Sequence, residues 1–528
     1  MGKIEVLDKK GDKYLMFAIV NSASIYGMDT YEIKVEVDVA NGLPAFDIVG
    51  LPDAAVREAK ERVRAALKNS GFEFPVKRIT VNLAPADIKK EGSLFDLPVA
   101  VGILAAIGVV SAKNLECKTF IGELSLNGSL RSINGALLIA GMVHQNQHLI
   151  YLPKHNAEEA ALAGDSFVYG VTCLRELVDV LNTTTKLEPT TVEIASLFLK
   201  NDREEIGFQD VKGQYAVKRA LEIAAAGMHN ILLIGTPGSG KTMLAKRMSG
   251  ILPPLSIDES LLLTKLYSIA GHLAQGEHLV TKRPFRSPHH TTSSQSVIGG
   301  GRFPKPGEIS LATYGVLFLD ELAEFKRDVL ESLRQPLEDG IVNVTRMAGS
   351  CTFPARPMLV AAMNPCPCGY LGDNLRACTC TPYQVNRYIS KISGPVLDRI
   401  DMHIHVPRVE FKDLHQDNKE DNTDTTEAIR SRVLAAREIQ QNRFKDTNFK
   451  TNAEMGKKEL QKFAVPTPDA LSLLQTAFAR LQLSARAHDR ILKVARTIAD
   501  LAQQDTINEE HIAEALQYRN LDKVYQGL

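Results

Sequence analysis

No stretch of this sequence is apolar for long enough to cross a bilayer. The longest apolar run, Val99 to Val110, is twelve residues and is broken by Gly102 and Gly108. A membrane span needs about 20 residues, so a buried helix is the expected form. Neither sign of charge is in excess, because Lys+Arg and Asp+Glu both total 62. A basic coat over the whole surface is therefore excluded, and any nucleic-acid surface has to be local. Tryptophan is absent, which by itself says nothing about function. The lack of internal repeats and low-complexity tracts removes solenoids and propellers. The amino-terminal MGKIEVLDKKGDKY lacks the apolar core of a secretory signal. A soluble, cytoplasmic protein without a membrane partner is expected.

Cysteine is scarce too. Cys117, Cys173 and Cys351 are scattered, whereas Cys366, Cys368, Cys378 and Cys380 are clustered. In a reducing compartment such a cluster points to a metal before a disulfide. Four thiolates suit tetrahedral Zn²⁺. The one-residue gaps are tighter than the usual two, and a set of buried or redox-active thiols is the alternative.

A chain of 528 residues is too long for one core, and it divides into three blocks. In residues 15–185, YEIKVEVDVA and RITVNLAP alternate like strands. Residues 53–70 have helical spacing, and Asn127-Gly128 marks a hairpin turn. This block reads as α+β. A polar linker follows over 184–205. Residues 206–410 alternate helix and apolar strand, the α/β pattern of a parallel sheet. Residues 411–528 begin with an acidic loop (412–425) and continue as amphipathic helices.

The strongest motif lies in the second block. An apolar strand over Ile231–Ile234 runs into Gly235, Thr236, Pro237, Gly238, Ser239, Gly240, Lys241 and Thr242, and then into a helix. Glycines at these positions let backbone N–H groups turn toward the β- and γ-phosphates of ATP. Lys241 adds a point charge there, and the Thr242 hydroxyl suits Mg²⁺. About 80 residues on, GVLFLDEL ends a buried strand in two carboxylates. Asp320 is expected to hold Mg²⁺ and Glu321 to polarise the attacking water. MLVAAMN ends a third strand in Asn364, placed to orient that water. Arg399, just before a further strand, suits the γ-phosphate of a neighbouring subunit in a ring; pairing with Asp398 or Asp401 is the alternative. Arg486 and Arg490 share a helical face, and Arg486 is expected to reach the phosphate from a helical lid, unless that face is simply salt-bridged.

Together with GLPAFDIVGLPDAAVREAKERVRAAL, KRITVNLAPAD, RPFRSPHHTTS, PKPGEISLATYGVLFLDEL, NPCPCGY and SGPVLDRIDMHI, these residues resemble the ComM/YifB family of magnesium-chelatase-like AAA+ ATPases over nearly the whole chain. The resemblance implies an arginine-finger role for Arg399 and a sensor-2 role for Arg486. It also implies a ring, usually hexameric, that moves on DNA and branch-migrates recombination joints during DNA uptake. The fold it implies is multidomain: an N-terminal Lon-peptidase-like domain, a central P-loop AAA+ domain and a helical lid. The first block is similar to the domain shared by Lon-type peptidases and RadA. Ser93 is out of register for a catalytic serine, and NGALLIA is apolar where the lysine belongs, so no proteolysis is expected. A role in ring assembly or DNA contact is expected instead. The runner-up function is a protein-remodelling or chelatase-type ATPase subunit, against which stands the expectation that such subunits lack this N-terminal domain.

Between His278 and Gly307 there is no acidic residue, but there are Lys282, Arg283, Arg286, Arg302 and Lys305, with His289 and His290 among them. In chelatase-like folds this interval faces the ring pore, where lysine and arginine track phosphates. The alternative is a loop packed on an acidic neighbour. Arg346, near the tip of an expected hairpin over 339–355, is the second DNA candidate.

Overall fold

The computed structural model describes residues 5–7, 13–87, 89–90, 92–199, 207–274, 276–301, 304–346, 349–373, 375–409, 425–447, 449–481 and 483–519. The first block is built on a seven-stranded mixed sheet. Its strands run in the order Val168–Val171, Leu149–Pro153, Lys118–Phe120, Phe17–Tyr26, Asp29–Ala40, Arg78–Ala84 and Ala45–Val49. Alternation in Asp29–Ala40 turns Ile33, Val35, Val37 and Val39 to the buried face. Helix Ala54–Asn69 starts where Asp53 accepts the Val56 N–H at 2.8 Å. It lays Val56, Val63 and Leu67 into the same core. The apolar run at Val99 is a helix, Asp96–Ala106, every residue of which is buried.

Five strands form the second sheet, all parallel, in the order Phe285–Arg286, Val316–Leu319, Met358–Met363, Ile231–Gly235 and Met402–Val406. The middle three are buried at nearly every residue, as continuous apolar runs covered on both faces should be. The Ile231 strand comes first of the five in sequence yet lies between two late ones. Chain order thus reverses beside it, and a crevice opens at the carboxyl ends of the strands. Val316–Leu319 and Met358–Met363 run to the same edge and deliver Asp320 and Asn364 there.

The carboxyl-terminal helices include Thr426–Arg443, Pro468–Leu481, Ala485–Leu501 and Glu509–Gln517. They pack against Tyr215–Gly227, and one apolar cluster runs from Ile231 and Phe318 through Val433 to Ile491 and Ile512. The helical block thus shares its core with the α/β block. Apart from Thr425, which caps the Thr426 helix, the expected acidic loop begins in and crosses residues outside those described. The linker carries a short helix, Ile194–Leu199, whose Ile194, Leu197 and Phe198 pack on Leu137, Leu162 and Leu279.

The first two blocks also touch through polar groups. Buried Glu159 accepts from the Ser268 hydroxyl at 2.5 Å and from the Leu137 N–H at 3.1 Å. Ser268 accepts in turn from the Gly135 N–H at 2.7 Å. Burial pushes the Glu159 carboxyl up, against the pull of these hydrogen bonds. The Tyr26 hydroxyl donates to the Gly349 carbonyl at 3.2 Å. Among the described residues no helix is long and apolar enough to cross a membrane.

Candidate active site

Strand Ile231–Gly235 leads into the loop Thr236–Gly240, and helix Lys241–Lys246 leaves it. Gly238 and Gly240 stand at φ +78° and +89°, where a Cβ strains the backbone. A Cβ on Gly238 would meet nothing within 4 Å. The Thr236 and Ser239 hydroxyls are buried without a hydrogen-bond partner, which is uncommon and points to a ligand.

The Lys241 ammonium donates to the carbonyls of Gly235 (2.7 Å) and Thr236 (3.0 Å) and to Asn364 Oδ1 (3.3 Å). Burial lowers its pKa, and the Asp320 charge opposes that shift. The Thr242 hydroxyl donates to Asp320 Oδ2 at 2.6 Å, and Asp320 Oδ1 accepts the Glu321 N–H at 2.9 Å. Glu321 itself sits at φ +53°, a conformation that costs a non-glycine residue about 1–3 kcal/mol. Its carboxylate is exposed and lies 3.2 Å from His290 Nδ1. The ends of three adjacent strands thus bring Lys241, Thr242, Asp320, Glu321 and Asn364 together. The open, glycine-lined loop with its unpartnered hydroxyls fits a triphosphate, and the Thr242–Asp320 oxygen pair fits a hard divalent cation.

Three features of this site are not in the motif. Gln214 donates from Nε2 to the Ser239 carbonyl (2.8 Å) and the Pro407 carbonyl (3.1 Å), tying the loop to the last strand. Its Oε1 is buried and unpartnered. His290, read from sequence as part of a basic stretch, holds Glu321. Gly369 packs so closely on the loop that a Cβ there would lie 2.7 Å from Pro237 Cδ.

The two arginines lie elsewhere. The Arg399 carbonyl accepts from Asn230 Nδ2 at 2.9 Å, so it sits where the Ile231 strand begins. That is about 16 Å of extended chain from Gly235. Arg399 donates to the carbonyls of Arg334 (3.0 Å) and Pro395 (2.8 Å) and pairs with Glu338; the alternative pairing, with Asp398 or Asp401, does not form. Arg486 is 3.5 Å from Asp398, and Arg490 is 3.3 Å from Asp401. Arg399, Arg486, Arg490 and Lys493 line one cavity of about 580 Å³ at this edge. Arg486, expected to reach the phosphate from a helical lid, thus lies on a helix that docks at the opposite end of the sheet from Gly235–Thr242.

The basic stretch divides. Arg283 donates to the carbonyls of Pro253, Pro254 and Tyr314 and pairs with Glu259 at 3.1 Å. Arg286 makes a two-pronged pair with Glu308 at 2.6 and 2.7 Å. Both are internal braces and are withdrawn as DNA candidates. Arg302 lies outside the described residues. Lys282, Lys305 and Arg346 are exposed. Lys305 lies on a short strand pair whose Gly301 carbonyl neighbour accepts from Arg346 Nε at 3.3 Å. The hairpin holding Arg346 pairs Ile341–Arg346 with Gly349–Pro354, as expected.

The four clustered cysteines converge. Their sulfur atoms all lie within 4.8 Å of one another. In the first block, the Ser93 hydroxyl goes to Glu123. Lys90, three residues before Ser93, is fully buried and donates to the Pro85 carbonyl.

Comparison with known proteins follows this layout. Residues 207–414 match the family described as magnesium chelatase, subunit ChlI, and residues 423–519 match the ChlI carboxyl-terminal family. Residues 35–156 match a family described as subunit ChlI of Mg-chelatase. A chelatase-subunit description thus also covers the first block, against the expectation that such subunits lack it. The chain is 44% identical over 520 residues to competence protein ComM of Haemophilus influenzae, covering 97% of this chain and 99% of that protein. It is 43% identical over 512 residues to the uncharacterized protein YifB of Salmonella typhimurium, covering 97% and 98%. YifB of Escherichia coli is 42% identical over 512 residues, with the same coverage. With full-length identity at this level and three chelatase-family matches in the same order along the chain, this protein belongs to the ComM/YifB family of magnesium-chelatase-like proteins.

Proposed function

We propose that this chain is an ATPase of the AAA+ class that works as a homo-oligomeric ring, a hexamer, and moves on DNA to remodel or branch-migrate recombination joints. The observation that carries the ATPase part is the meeting of Lys241, Thr242, Asp320, Glu321 and Asn364 beside a glycine loop. On this reading Gly235–Thr242 cradles the phosphates, and Lys241 exchanges its carbonyl partners for phosphate oxygens. Thr242 and Asp320 hold Mg²⁺, which neutralises charge developing on those oxygens. Glu321 polarises water, and Asn364 orients it. Arg399 and Arg486, at the far edge of the sheet, serve the nucleotide of the adjacent subunit. A head-to-tail ring interface joins one edge of each subunit to the opposite edge of the next. Zn²⁺ on the four cysteines completes the cofactors.

The DNA part is supported by the 44% identity to a protein named for competence and by exposed Lys282, Lys305 and Arg346. The domains are taken as 15–185, 206–410 and 411–528. The first is an inactive Lon-peptidase-like domain serving assembly, because Ser93 and Lys90 are each bonded elsewhere. ATP turnover with and without single- and double-stranded DNA tests the reading, beside a branch-migration assay with the Lys241→Ala variant. No DNA binding at low salt and no stimulation would remove the DNA motor. The chelatase-subunit family matches favour a second reading, a protein-remodelling or chelatase-type subunit. ATP-dependent release of a bound protein, without DNA, would select it.

A further inference from the structure

The loop between Asn364 and the helix Pro382–Ile389 has little apolar material to hold it. Of its cysteines only Cys366 is buried. Its order comes from sulfur. Cys366 Sγ lies 3.4 Å from Cys368 Sγ and 3.6 Å from Cys378 Sγ, and Cys368 and Cys378 are 3.5 Å apart. A disulfide needs about 2.05 Å, so none of these pairs is bonded. A tetrahedron with metal–sulfur bonds of about 2.3 Å has edges of about 3.8 Å, close to the spacing seen. Sulfurs this close leave room for one ion and not for a polynuclear cluster. Backbone N–H groups support the set: Cys368 N–H donates to Cys380 Sγ and Cys380 N–H to Cys378 Sγ, both at 3.4 Å.

This knot is a wall of the nucleotide site. Cys366 follows Asn364 by two residues. Gly369, at φ +85°, presses against Pro237. On the far side, Thr381 caps the Pro382 helix through Gln384, and that helix leads toward Arg399. A closed knot therefore fixes both where the Asn364 amide points and how the phosphate loop is backed.

We propose that Cys366, Cys368, Cys378 and Cys380 bind one structural Zn²⁺ as thiolates, and that the metal-closed loop positions Asn364 and braces Pro237, setting the rate of hydrolysis more than the affinity for nucleotide. The metal half stands on sulfur geometry alone, and the positioning half rests on the ATPase reading above. Metal analysis of the purified full chain should find one zinc per chain that survives dialysis against EDTA and is released by a mercurial. Cobalt in its place should give the sulfur-to-metal charge-transfer band of a tetrahedral thiolate site. The Cys378→Ser/Cys380→Ser variant should lose the zinc, bind a non-hydrolysable ATP analogue within about threefold of wild type, and turn over at least tenfold more slowly. Cys378→His, which keeps four ligands, should restore both metal and turnover. This last variant separates loss of positioning from loss of folding. Absence of zinc, its replacement by iron, or its retention in the double serine variant would overturn the metal site. Zinc lost with turnover unchanged would overturn the positioning role. A wild-type chain that holds zinc but hydrolyses no ATP would sink the ATPase reading and the positioning half with it, leaving the metal site standing.

Discussion

His290 Nδ1 lies 3.2 Å from Glu321 Oε2, so the carboxylate proposed to activate water is held by the segment proposed to lead into the pore. The His289 ring lies against His290 with centroids 4.1 Å apart and the planes tilted by 34°, and Phe325 meets His290 edge-on. A carboxylate held beside an imidazole is less free to polarise water. An exposed pair of this kind is worth about 0.2–1 kcal/mol, or up to roughly fivefold in rate. His290→Ala should raise DNA-free ATP turnover by about that factor and shrink the stimulation by DNA. Unchanged basal turnover in steady-state assays would count against the latch.

Glu321→Gln keeps the shape of the side chain and removes its basicity. It should bind ATP as tightly as wild type and hydrolyse it about 10²–10⁴-fold more slowly. Lys241→Ala should instead lose nucleotide binding, because the charge at the phosphates goes with it. Equilibrium binding of a fluorescent ATP analogue, read beside phosphate release, distinguishes the two.

Arg399 and Arg486 at the far edge of the sheet predict complementation between subunits. Arg399→Ala alone should fall roughly 10³-fold in turnover, with Arg486→Ala also slow. An equal mixture of Arg399→Ala and Lys241→Ala chains places an intact lysine opposite an intact arginine at about a quarter of interfaces. Activity should reappear in that mixture. A mixture as dead as its parents would mean that the arginine acts within its own chain or only braces it.

Lys305 and Arg346 are exposed on neighbouring hairpins. Lys305→Ala/Arg346→Ala should weaken DNA binding alike for all sequences and lower the slope of log affinity against log salt by about two. Arg283→Ala should leave that slope alone and lower the melting temperature, since its partners are carbonyls and Glu259. Titrations at several salt concentrations separate the two outcomes.

Asp401 gives a pH prediction. Burial pushes its carboxyl up, but His229 Nδ1 at 3.6 Å and Arg490 at 3.3 Å, with Lys493 behind them, outweigh this and hold it down at about 2. The unfolded value is about 3.9. Stability from this group is therefore complete above about pH 4 and is lost as pH falls toward 2. Asp401→Asn should cost about 2 kcal/mol at neutral pH, and the gap from wild type should roughly halve by pH 3 and close as pH falls through about 2. Denaturant unfolding at pH 7 and pH 3 reads it.

The phosphate loop was legible because its geometry is local: strand, glycines, lysine and helix are contiguous. The Asp320 and Asn364 strands were legible as continuous apolar runs ending in a polar residue. Charge reading worked less well, because counterions lie outside any window. Arg283 meets Glu259 on an earlier helix, and Arg286 meets Glu308, one residue beyond the stretch counted as free of acids. The His290–Glu321 contact depends on which strands are neighbours, which spacing does not encode. For Arg486 the spacing gave the helix and the face shared with Arg490, but periodicity says nothing about where along the sheet that helix comes to rest. The cysteine spacing named a ligand set but gave no hint that Gly369 touches Pro237.

One apolar interior runs unbroken from the Ile231 strand into the Ile491 and Ile512 helices. Bending a protomer at that seam exposes oily surface at about 25 cal/mol per Å², a heavy toll for each catalytic cycle. Mechanical work is more cheaply done where wet surfaces slide past each other, so in the proposed ring the protomers should rock as stiff blocks, with the stroke taken up at their mutual boundaries.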